Sequence, residues 1–132
     1  MKRTIRINYR EIALEQGSPL ESAKQLPSLQ DAVCTTAHAN EHKTIRYLEN
    51  GPNYSAMGKV VRDVFDPENG AILFPGTNTD GVFLWPIELA YYVRKYHVRL
   101  PSDFLERMAS RDWQPPSKSE INFESLYAGF AT

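Results

Sequence analysis

The 132-residue sequence predicts an α+β fold, with a small antiparallel sheet of about three strands covered by several short helices. Three observations predict it. Between Tyr54 and Trp85, β-branched and aromatic residues (Val60, Val61, Val64, Phe65) alternate with clusters of turn-forming residues. Leu89, Tyr92, Val93 and Tyr96 then recur at i, i+3, i+4 and i+7, the apolar stripe of a helix that lies on a sheet. Upstream and downstream, Gly and Pro cut the chain into segments long enough only for short helices.

At the start, residues 4–9 (Thr-Ile-Arg-Ile-Asn-Tyr) alternate as an edge strand would, and Ile12, Ala13 and Leu14 fit the end of a short helix equally well. The pattern leaves both open. Gly17-Ser18-Pro19 breaks whatever precedes it, and Ser18 can cap a short helix over Leu20 to Gln25. Pro27 stops that segment, and a further helical turn is expected around Leu29 to Val33. Asn40 is placed as the N-cap of a helix running through Glu49, with Glu41 in the first turn and an apolar stripe of Ile45 and Leu48. Asn50-Gly51-Pro52 ends it, with glycine where a left-handed residue is wanted.

The β region follows as a three-stranded meander. Its first strand is centred on Val60 to Phe65, and Asp66-Pro67-Glu68-Asn69-Gly70 makes a turn. Ala71 to Phe74 return, Pro75 to Gly81 form a second turn or loop, and Val82 to Trp85 form the third strand. A helix opening at Pro86 and ending near His97 covers the sheet, since proline at a first helical position gives up no needed donor. Leu100-Pro101 starts another helix with Phe104, Leu105 and Met108 facing inward, and Trp113 is a last anchor before Pro115-Pro116. The tail carries Ile121, Phe123, Leu126, Tyr127 and Phe130. It is too apolar for a solvated end, so it folds back or docks on another chain.

Composition narrows the function classes. One domain covers residues 1–132, with ordinary apolar and charged content and a net charge of −1, so no global field draws DNA or anionic lipid. The charge is uneven, however. Residues 11–90 carry eleven acidic against five basic side chains, which suits a basic partner or a solvated acidic face. Cys34 is the only cysteine, so no intrachain disulfide forms and a reducing compartment is natural. The basic start lacks an apolar segment behind it, and no run is long enough to span a bilayer, so a cytoplasmic protein is expected.

The candidate chemistry is sparse. His38-Ala39-Asn40-Glu41-His42 matches H-x-x-E-H, a pattern that can set two histidines on one helical face to bind zinc with glutamate as base. Asn40 as a cap would leave His38 outside the helix and spoil that face, so neither a metal nor a cofactor is expected. Tyr91, Tyr92, Tyr96 and His97 beside Arg94, Lys95 and Arg99 interleave aromatic and basic residues as single-stranded nucleic-acid binders do. Two of these tyrosines belong to the apolar stripe, and no broad basic field supports such a ligand. Cys34 has no basic neighbour in sequence to activate it. No catalytic residue is assigned. Asp63, Asp66, Glu68 and Asp80 gather at the expected turns, and with Glu49 and an exposed Tyr54 they are the candidate contacts for a protein partner.

With Asp80-Gly81, Trp85-Pro86, Leu89-Ala90-Tyr91-Tyr92, Tyr96-His97-Val98 and Leu100-Pro101 laid out, the chain resembles a family. It resembles small bacterial proteins with a D-G-x-x-x-W-P-x-x-L-A-Y-Y-V-x-x-Y-x-V-x-L-P-x-x-F signature, which are similar to immunity proteins of polymorphic or contact-dependent growth inhibition toxins. The likeness covers about residues 41–113, including Tyr47-Leu48 with Gly51-Pro52 and Arg62-Asp63-Val64 with Asp66-Pro67. It leaves out an N-terminal extension (1–35) and a tail (117–132). The resemblance implies a non-enzymatic protein that neutralises a cognate, basic toxin domain by direct complex formation, with no nucleic acid or membrane partner. The alternatives are a small metal-dependent enzyme using His38, Glu41 and His42, or a regulatory domain that dimerises through its tail.

Overall fold

The computed structural model describes residues 5–56, 60–68, 71–72 and 76–130. Its elements run β1 (Ile5–Arg6), α1 (Arg10–Glu15), α2 (Leu20–Ala23), α3 (Leu29–Ala32), α4 (Glu41–Asn50), β2 (Asn53–Ala56), β3 (Val61–Arg62) and β4 (Ala71–Ile72). They continue with β5 (Gly76–Thr79), β6 (Phe83–Pro86), α5 (Leu89–Tyr96), α6 (Ser102–Ser110), a 3-10 turn (Lys118–Glu120) and α7 (Phe123–Phe130). The fold is α+β with a small sheet, as the sequence predicts. Both readings of the N-terminus hold in succession, a strand and then a helix.

The sheet differs from the expected meander. Its order is β1-β6-β5-β2, with β1 parallel to β6 and the other pairs antiparallel, while β3 and β4 form a separate hairpin. The hairpin matches the first two expected strands, of which residues 73–74 lie outside the described residues. The sequence does not predict two strands of the sheet, β2 and β5, the second inside the segment expected to be loop. Thr77, Asn78 and Thr79 of β5 are turn-forming residues by composition, yet they pair with β6, and the side chains of Asn78 and Thr79 find backbone acceptors on α4 and β6. Asn78 Nδ2 donates to the Leu48 carbonyl (3.3 Å), and Thr79 Oγ1 donates to that of Phe83 (2.8 Å). Gly76 is required because a Cβ there would overlap the backbone of β2.

The true turn is Asp80–Val82. Asp80 Oδ1 accepts the N–H groups of Val82 (3.0 Å) and Phe83 (2.7 Å), and Gly81 takes φ +90°, which glycine adopts without steric cost. Pro86 closes β6 opposite Thr77 and does not open α5, which starts three residues later. It lies past the last β1 pair, Arg6 with Leu84, where a missing N–H interrupts no pairing with that strand.

One core joins the elements. Phe104 of α6 stacks on Phe83 (centroids 4.7 Å apart) and packs against Trp85 (5.2 Å) and Tyr47 (6.4 Å). The Trp85 indole N–H donates to the Leu48 carbonyl at 3.1 Å and ties β6 to α4. Burying side chains of this size contributes roughly 1.5–3 kcal/mol each. Gly51 follows from the same packing. Its φ is −62°, not left-handed as expected, and glycine is needed because a Cβ would overlap the Trp85 ring. A left-handed residue does end α5, at His97 (φ 53°).

Asn40 caps α4 by position but without a side-chain bond, while Glu11 caps α3 from a distance. Its carboxylate accepts the N–H groups of Leu29 (2.7 Å) and Gln30 (2.8 Å), where the helix dipole favours negative charge. The tail folds back, with Leu126 buried and Ile121 against Gly81. Among the described residues, no helix is long and apolar enough to cross a membrane.

Candidate functional site

The turn after β3 is built around Asp63, whose side chain is fully buried. Its Oδ1 accepts the N–H groups of Phe65 (2.8 Å) and Asp66 (3.2 Å), which bends the chain back on itself. Its Oδ2 accepts from three groups of α5: the hydroxyls of Tyr91 and Tyr96 (2.6 Å each) and the Lys95 ammonium (3.2 Å). The i, i+4 and i+5 spacing of Tyr91, Lys95 and Tyr96 brings all three to one side of the helix. Tyr92 adds a second tie, since its hydroxyl accepts the Val64 N–H at 3.0 Å. Phe65 completes the seal with its ring 4.9 Å from that of Tyr96.

The electrostatics make this a closed network. Burial alone would raise the Asp63 pKa, but donation from Tyr91, Tyr96, the Phe65 N–H and Lys95 outweighs it and holds the carboxyl below its ordinary value. Burial and the bonds to Asp63 push the Tyr96 phenol up to about 12 and raise Tyr91 as well. Lys95 is held protonated by its bonds to Tyr91 and Asp63. Phenols raised in this way are poor bases and poor proton donors near neutrality, so the arrangement positions a loop and does not activate a nucleophile.

Two of the expected partner contacts therefore need correction. Asp63 and Asp80 are buried at 0% and 1% exposure, because each carboxylate is enclosed by hydrogen-bond donors that repay its desolvation. Asp80 Oδ2 accepts from the Tyr47 hydroxyl (2.5 Å) and from Arg107 Nε (3.4 Å), in addition to its turn bonds. Of the others, Glu68 is exposed and Asp66 half-buried, both in the loop that Asp63 fastens. Glu49 is exposed at the end of α4 and meets Arg94 of α5 at 2.9 Å. Tyr54 is half-buried on β2, less open than expected. Helix α5 is thus a shared support, with Arg94 holding Glu49 and Lys95 holding Asp63.

The H-x-x-E-H segment places its residues apart in role. His38 lies before α4, His42 is exposed on it, and buried Glu41 turns to His97 (Oε1 to Nδ1, 2.8 Å). Among the described residues, no three His, Cys, Asp or Glu side chains stand close enough to hold a metal ion. Cys34 has the basic neighbour that its sequence context lacks, because Arg99 Nε donates to its sulfur at 3.1 Å. His38 stands nearby with its pKa lowered, chiefly by burial and then by Arg99, against an opposing pull from Glu41. Arg99 reaches Cys34 across 65 residues of chain, so the pairing had no sequence signal. Tyr91 and Lys95 did have one, their i, i+4 spacing, but the carboxylate they serve lies on another element. Comparison with protein-family models, with curated proteins and with solved structures yields no match to this chain.

Proposed function

We propose that the chain is an immunity-type binding protein that neutralises a cognate bacterial toxin in the cytoplasm by direct complex formation. The observation that carries this reading is the Asp63 network. It uses three α5 side chains to fix a surface loop that presents Asp66 and the exposed Glu68, while the same helix holds exposed Glu49. A loop ordered before binding loses little entropy on association, and its negative charges speed capture of a basic partner. The signature residues support the same reading. Asp80, Trp85, Leu89, Tyr92, Leu100 and Phe104 are all buried in the frame, which leaves recognition to Glu49, Tyr54, Asp66 and Glu68 on other parts of the chain.

Co-expression with a candidate toxin domain from a neighbouring reading frame tests the proposal. Rescue of growth and co-elution on a sizing column are expected. Glu68→Lys should weaken the complex about tenfold and make the residual binding less salt-sensitive. The absence of both rescue and a complex with the unaltered protein would refute it.

A further inference from the structure

The outer face of α4 borders a groove that lies apart from the Asp63 loop. Lys43, Arg46 and Asn50 follow one another at i, i+3 and i+7 and form one wall of this groove of about 580 Å³. The other wall is the segment from Asp112 to Ser117, with Glu120. Asp112 and Trp113 both take positive φ (52° and 62°), which turns the chain off α6 so that it arches past α4. Arg111 Nε donates to the Gln114 carbonyl at 3.0 Å, and Glu120 accepts from the Ser117 N–H at 3.2 Å, so both ends of the arch are fastened.

The charges single this groove out. Among the described lysines and arginines, the side chains of only Lys43, Arg46 and Lys118 lack a hydrogen bond or ion pair with another described residue. Two of them line the groove, and Lys118 sits between the lining residues Ser117 and Glu120. The opposite wall offers half-buried Trp113 and Pro115, backed by buried Pro116, rigid surfaces of the kind that receive extended chain. Two carboxylates also line it. Glu120 is engaged by Ser117 and by Arg111 (3.7 Å), while Asp112 is exposed. A continuous phosphate backbone would meet that carboxylate. A peptide avoids it by turning its acidic side chains to α4 and its apolar ones to Trp113 and Pro115.

We infer that this groove binds an extended acidic segment of a partner protein, its carboxylates on Lys43 and Arg46 and its apolar side chains on Trp113 and Pro115. This site is separate from the acidic loop of the proposed function, and its cations, Lys43 and Arg46, lie on the α4 wall. The test uses the full chain and a fluorescein-labelled peptide of about 12 residues that alternates glutamate with phenylalanine and proline. Anisotropy should report saturable binding that weakens as salt rises. Lys43→Glu/Arg46→Glu should weaken it at least tenfold and should instead bind the peptide with lysine in place of glutamate. Both positions are exposed on α4, so the variant keeps its fold, which circular dichroism verifies. The peptide should also shift tryptophan emission, and Trp113→Phe should abolish that shift because Trp85 is enclosed in the core. No binding at millimolar peptide, equal binding by the double variant, or equally tight binding of a short oligothymidylate would each overturn the inference.

Discussion

Asp80 and Asp63 are both enclosed carboxylates, each accepting two backbone N–H groups on one oxygen and, on the other, a cation together with one phenol at Asp80 and two at Asp63. Their reach differs. Asp80 gathers Tyr47 from α4, Arg107 from α6 and the N–H groups that start β6, so three elements converge on one side chain. Asp63 takes its side-chain donors from α5 alone and joins one loop to one helix. The same chemistry therefore does two jobs. One carboxylate locks the helical layer to the sheet, and the other holds a surface loop in place.

The largest effect should come from removing the first. Asp80→Ala leaves Tyr47 without its buried acceptor, leaves Arg107 only the backbone carbonyl of residue 80 and frees the turn, a loss of about 3–5 kcal/mol in urea unfolding. Asp63→Ala should cost less, about 2–3 kcal/mol, because Lys95 and the rim of Tyr91 can turn to water. Hydrogen exchange separates the two cases. Asp63→Ala should lose protection at residues 62–66 and keep it in β6, whereas Asp80→Ala should lose it in both. Equal loss in β6 from the two variants would show that the Asp63 network is no local fastening.

Acid should act on the Asp63 network through its lowered pKa. The folded carboxyl titrates below its unfolded value of about 3.9, so its contribution is fully present above that pH. It is lost as pH falls through the folded pKa. Thermal unfolding followed from neutral pH downward should show the midpoint of the unaltered protein falling below about pH 4 more steeply than that of Asp63→Asn. Parallel curves would mean that the network does not depend on the ionised carboxylate.

How much of this could be read from the residues divides along the same line. Asp80-Gly81 announces a turn because its bonds to Val82 and Phe83 are local, and the helix stripes of α4, α5 and α6 are equally local. What escaped depends on groups far apart in sequence. β5 is a strand because its Thr and Asn side chains find acceptors on β6 and α4, and no periodicity records that. Asp63 looked like a surface acid because its two phenols come 28 and 33 residues later. Arg99 against Cys34 is the same lesson across a longer interval. The acidic excess of the middle of the chain was legible, but its burial was not: Glu41, Asp63, Asp80 and Glu88 all lie inside.

The smallest effect on stability should come from Glu49, the acid that stays outside. Its pair with Arg94 is made by side chains that keep 45% and 57% of their exposure, so solvent screens most of the attraction. Glu49→Gln should change unfolding free energy by about 0.5 kcal/mol or less, within the range of ordinary surface pairs. Stability and recognition can then be measured apart. Stopped-flow association with the proposed toxin partner should slow for Glu49→Gln, most clearly at low salt, although its urea midpoint is unchanged. If instead the association rate holds and the midpoint falls by as much as in Asp63→Ala, Glu49 belongs with the buried fastenings and the contact surface lies elsewhere. An acid that contributes little to the fold yet much to the encounter is what distinguishes a recognition residue from the two enclosed carboxylates that shape the frame behind it.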